Sequence, residues 1–201
     1  MKKSLRLVIL LVAGLLAISV KAQEDDKKVV FHGSVQSDIL VPEQDDDINT
    51  GEVNDWALTN TYVDLGLRSK FVDVGTRLEF TKHPLPGFED DFKDNGIPHI
   101  FVKGKFKGVD ITLGDFYDQF GSGFIFRAYE ERSLGIDNAI RGAKVNVTGI
   151  KGIQLKALGG LQRRYWSWSK DSRVAGADLE LNIEQYSQRM RDKNISWMIG
   201  G

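Results

Sequence analysis

The sequence predicts an all-β fold: an antiparallel transmembrane β-barrel, or part of one, with eight or nine strands in this chain. Three observations predict it. Side chains alternate between apolar and polar in nine segments. The longer of those segments run about 9 to 13 residues, closer to the tilted strand of a membrane barrel than to the five or six residues usual in soluble sheets. Short turns at Ser69-Lys70, Gly108 and Gly149 to Gly152 join successive segments into hairpins.

The first strand falls within Val29 to Val41, with Phe31, Val35 and Ile39 on one side and His32, Gln36 and Asp38 on the other. Pro42 to Asp55 reads as a wetted acidic loop. Its spacing does not match a calcium-binding loop. In the next hairpin Thr61, Val63, Leu65 and Leu67 oppose Asn60, Tyr62, Asp64 and Gly66, and Val72, Val74, Thr76, Leu78 and Phe80 oppose Asp73, Gly75, Arg77 and Glu79. No 3.6-residue stripe fits either run. His83 to Pro98 holds three of the four prolines and reads as a long loop. Strands follow at Ile100 to Lys107 and Val109 to Leu113, at Ala143 to Thr148 and Ile153 to Gln162, at Val174 to Glu184, and briefly at Ile195 to Gly200.

Alternation alone fits a soluble sandwich as well as a membrane barrel with its faces reversed. The polar positions carry both signs of charge mixed with glycine, among them Asp64, Arg68, Asp73, Arg77, Glu79, Lys144 and Asp178. Such residues can pair with one another across a lumen. Trp56, Tyr62, Phe80, Phe101, Phe116, Tyr117, Tyr165, Trp166, Trp168, Tyr186 and Trp197 fall near strand ends, a placement that suits the interfacial aromatic belts of a membrane barrel. Lys2, Lys3 and Arg6, the apolar run from Leu7 and the small-residue site at Val20-Lys21-Ala22 predict a signal peptide over residues 1–22. The apolar run is about 14 residues, against the roughly 20 of a spanning helix. This leaves an outer-membrane β-barrel domain over 23–201. The bacterial outer membrane is the expected location and its lipid the expected partner.

Between Gly114 and Gly142 the alternation breaks, in GDFYDQFGSGFIFRAYEERSLGIDNAIRG. This stretch reads as a polar interruption of a strand-built wall. Its charged residues Asp115, Asp118, Arg127, Glu130, Glu131, Arg132 and Arg141 are the candidate pore or lumen residues. Opposite charges facing across a lumen would filter small polar solutes.

The same stretch, continued by AKV and followed by LGGLQRRYW, resembles a family of outer-membrane proteins of the Bacteroides group of Gram-negative bacteria, described as being of unknown function. The resemblance covers most of the chain after the leader, and it implies a transmembrane β-barrel without an established activity. Members of that family are longer, so the chain resembles their N-terminal portion. The stop at Gly201, just inside a strand, predicts a barrel that needs further strands, with a compact eight-stranded barrel as the alternative.

The chain has no cysteine, which excludes a disulfide scaffold, and it carries no nucleophile elbow, zinc-protease motif or phosphate loop. His32, His83 and His99 are scattered, so neither a metal, a cofactor nor an enzyme activity is expected. With 27 basic and 28 acidic residues, nucleic acid is not an expected partner. Porin-like passage of small polar solutes is the first expectation. A non-transporting barrel that binds a protein partner through its external loops is the second.

Overall fold

A computed structural model describes residues 29–44, 47 and 55–201. The expected leader, the charged start at Gln23 to Lys28, and Asp45 and Asp46 of the acidic loop lie outside the described residues.

The chain is all-β. Nine antiparallel strands form one sheet: β1 (Val30–Leu40), β2 (Leu58–Arg68), β3 (Val72–Phe80), β4 (Asn95–Phe106), β5 (Val109–Phe116), β10 (Ile140–Ile150), β11 (Ile153–Gln162), β12 (Arg173–Asn182) and the short β13 (Met198–Gly200). Their order in the sheet is their order in the chain. Four two-residue strands, β6 (Asp118–Gln119), β7 (Arg127–Ala128), β8 (Glu130–Glu131) and β9 (Ile136–Asp137), interrupt the series and pair only among themselves. Among the described residues β1 and β13 are the edges of the sheet, and they do not pair with each other. The sheet is open.

The register turns the alternation into two chemically distinct faces. One continuous row across eight strands reads Phe31, Leu67, Val74, Val102, Leu113, Ala143, Gly159 and Ala175. The adjacent row, on the other face, reads His32, Gly66, Gly75, Phe101, Gly114, Gly142, Gly160 and Val174. Glycine there makes space. The His32 ring occupies the volume a side chain at Gly66 would need, and the Phe101 ring does so at Gly75. At Gly142 a Cβ would overlap the backbone of Gly159 and Gly160. Gly114 has a φ of 102°, which other residues adopt only with strain.

Two expectations are corrected. Strand β4 begins at Asn95 and includes Pro98, which the sequence places in a loop. Arg77 pairs with His99 and Glu79 with Gly96, so one residue of β3 opposes two of β4. Pro98 lies in that bulge, where its missing N–H breaks no ladder bond. Second, not every strand-end aromatic faces outward. Tyr62 and Phe116 are buried beneath the segment between β5 and β10, whereas Trp56, Phe80, Tyr186 and Trp197 are exposed.

The packed core is small: Phe116, Ala128, Ile140 and Leu158, with Phe120, Phe126 and Val174 against it. It joins the glycine-bearing face of the sheet to the segment 117–139. On the opposite face large apolar side chains are open, with Val35 at 72% and Leu113 at 55% of full exposure.

Candidate functional site

The segment 117–139 crosses the polar face of the sheet, reaching β12 at one end of its path and β1 at the other. Its first turn is a hairpin, β6 against β7. Asp118 lies between Lys144 of β10 at 2.9 Å and Lys156 of β11 at 3.3 Å. The Gly121 N–H donates to Asp178 of β12, and the Phe120 ring fills the notch left by Gly176. Burial alone would lift the Asp118 carboxyl. The Lys144 ammonium, the Gln119 N–H and Lys156 outweigh that effect and hold it below the ordinary carboxylate range.

Further along, the segment enters a closed ring of alternating charge. Arg77 Nε donates to Asp64 Oδ1 at 2.7 Å, and Nη1 donates to Glu130 Oε1 at 2.5 Å. Arg132 donates to the same two carboxylates, at 3.0 Å each, and its Nη1 reaches Gln36 of β1 at 2.9 Å. The Arg132 guanidinium also stacks on Tyr62, 4.5 Å from the ring centre. Beside this ring Arg163 bridges Glu79, at 3.2 Å, and Asp137. Arg77 links the two groups through Glu79 at 3.7 Å. A carboxylate buried as fully as Glu79, 2% exposed, needs such partners, since an unpaired buried charge is strongly unfavourable.

Oxygens of Glu79, Glu130 and Asp137 come within 4.8 Å of one another and could together hold a metal ion. The cations that touch them here are the guanidinium groups of Arg77, Arg132 and Arg163. The cavity bordering these three residues is only about 10 Å³, at the lower limit for a single water. The histidines do not converge. His32 covers Gly66, His83 meets Asp55 at 3.1 Å, and His99 stacks on Tyr117 with 5.4 Å between ring centres.

The seven residues singled out from sequence therefore separate into five settings. Glu130 and Arg132 belong to the charged ring, and Asp118 to the lysine anchor. Arg127 is exposed and stacks on Tyr129, 4.4 Å from the ring centre. Glu131 is exposed and accepts from the Ser133 hydroxyl at 2.6 Å, capping the short 3-10 turn Arg132–Leu134. Asp115 and Arg141 pair at 2.7 Å, but strand alternation puts them on the face opposite Phe116. There Asp115 is fully buried and accepts the Ile100 N–H, while Arg141 stacks on Trp168. Sequence reasoning did not connect Arg77, Asp64, Glu79, Lys144 or Lys156 with the segment. Their shared face in the alternation was the available signal. Arg163 and Asp137 lie in irregular stretches and carried none.

The family described as "Family of unknown function (DUF6029)" matches residues 1–201. The chain belongs to it. Comparisons with curated proteins and with solved structures returned no match.

Proposed function

We propose that the chain forms wall of an outer-membrane β-barrel, and that the segment 117–139 is an inward-folded constriction past which small polar solutes move. The observation that carries this reading is the inversion of the two faces. Charged groups are buried against the segment, while Phe31, Val102 and Leu113 of the apolar row stand open on the other side. Lipid is the solvent that suits such a surface, and a polar lumen suits the other face. A contiguous apolar row of this length would be an association hazard in water.

Within this reading the roles divide. Asp118, Glu130 and Arg132 fasten the segment to the wall. Arg127 and Glu131, both exposed, present the charge that a passing solute meets. Planar-bilayer recording of the refolded protein tests this. Conductance is expected, with an ion selectivity that shifts towards cations in Arg127→Ala, since a positive charge is lost from the path. Membrane-inserted protein without conductance, or an Arg127→Ala selectivity equal to the parent's, sinks the reading.

A barrel that docks a partner and passes nothing is the second reading. The filled space around Glu79, Glu130 and Asp137 favours it, because a segment packed that closely acts as a plug. The same recording separates the two.

A further inference from the structure

The apolar face is not uniform. In the row that crosses it, β1 to β5 supply Phe31, Leu67, Val74, Val102 and Leu113, whereas β10, β11 and β12 supply Ala143, Gly159 and Ala175. The next row on these last three strands reads Val145, Ala157 and Ala177. Of the six, only Val145 is larger than alanine. The surface therefore steps down beyond β5, where Leu113 and Ile111 stand beside Ala143 and Val145 in the register. It rises again at the row Val147, Leu155 and Leu179. Between these limits lies a shallow apolar shelf.

Two cations stand at the head of the shelf. The row at that end reads Arg141, Leu161 and Arg173, so the arginines share the face and lie two strands apart, about 10 Å in the backbone. Arg141 is held in place. The fully buried Asp115 accepts from its Nε at 2.7 Å and from its Nη2 at 2.9 Å, and Nη2 also donates to the Pro98 carbonyl at 3.1 Å. The Trp168 ring centre lies 4.2 Å from the guanidinium. Nη1 donates to none of the described residues, and the side chain is 39% exposed. A fork fixed by two of its nitrogens offers the third to an anion with little further loss of freedom. A free anion would gain nothing from the apolar shelf. An anion with a hydrocarbon chain gains from both, and a tryptophan beside the cation suits the level of lipid head groups.

We infer that the outer face of β10 to β12 binds a phosphorylated lipid, its phosphate on Arg141 and Arg173 and an acyl chain along the shelf of small residues. The inference rests on the membrane-wall reading above.

The refolded protein in detergent is titrated with dioleoylphosphatidic acid, and retained lipid is counted by native mass spectrometry. Dioleoylglycerol, with the same chains and no phosphate, and inorganic phosphate are separate arms. A single retained phosphatidic acid per chain is expected, with both other probes held at least about tenfold more weakly. Arg141→Gln should weaken retention about tenfold, as loss of a hydrogen bond to a charged group does. Two further variants leave the Asp115–Arg141 pair intact. Arg173→Gln removes the second cation, and Gly159→Leu fills the shelf, its Cβ meeting nothing closer than 3.8 Å. Each should also weaken retention. Phosphatidic acid held equally by the parent, Arg173→Gln and Gly159→Leu overturns the inference and leaves the membrane reading standing. Inorganic phosphate or dioleoylglycerol held as tightly as phosphatidic acid, by protein that inserts into phosphatidylcholine vesicles, does the same. Protein that fails to insert into those vesicles overturns both.

Discussion

On one face of the sheet Arg77, Asp64, Glu130 and Arg132 close a ring of hydrogen-bonded charge under a covering segment. On the other face Val35, Val102 and Leu113 are exposed with nothing packed over them. Both faces hang from the same strands, one residue apart. The polar face draws its order from within the chain, through directional bonds and fitted rings. Apart from the Asp115–Arg141 pair at one end, the apolar face draws little from the chain and depends on its surroundings. The molecule is therefore specified by its ion pairs on one side and by its solvent on the other.

The largest break in this contrast should come from Arg77→Met. It leaves Asp64, Glu79 and Glu130 short of their shared cation and should cost about 3–5 kcal/mol, as removal of one partner of a buried pair does. Urea unfolding in detergent measures it. A loss under 1 kcal/mol would mean that the ring is not what fastens the segment.

Leu113→Arg probes the opposite face. In a bilayer the charge should cost about 2–4 kcal/mol near the midplane, whereas on a water-facing surface the effect should stay within about 0.5 kcal/mol. Folding titrations into vesicles decide between these values, and with them what the apolar face meets. Gly142→Val tests the spacing of the polar face. The added side chain has only the backbone of Gly159 and Gly160 to displace, and overpacking of this kind costs about 1–3 kcal/mol.

The smallest effect concerns pH. Asp118 has a folded pKa below its ordinary value of 3.8, because the lysine contacts outweigh burial. Its stabilisation is complete above the ordinary value and is lost as pH falls through the lower folded one. Unfolding midpoints between pH 7 and pH 2 should show an acid limb that is shallower in Asp118→Asn. An unchanged limb would show that Lys144 and Lys156 do not hold the carboxylate.

Much of the wall was legible in the sequence. Thr61 to Leu67 and Val72 to Phe80 alternate because successive side chains of a strand point to opposite faces, and the structure pairs these runs antiparallel. The bulge at Pro98 was not legible, since proline argues against a central strand unless the register slips around it. In the interrupted stretch, charge and a missing period marked a special region, but neither says which residues meet. Glu130 and Arg77 are 53 positions apart, and Arg163 and Glu79 are 84 apart.

By itself the sequence determined the periodicity, and so the nine strands, their hairpin order and the two unlike faces, because these follow from local backbone geometry and side-chain polarity. Only the tertiary structure decided that the glycines of five strands fall into one row, that Asp115 and Arg141 lie away from Glu130 and Arg132, and that the segment 117–139 lies across the polar face. Those outcomes depend on register and on contacts between distant residues. A one-residue slip would exchange the faces, and no local pattern encodes which carboxylate a given arginine will reach.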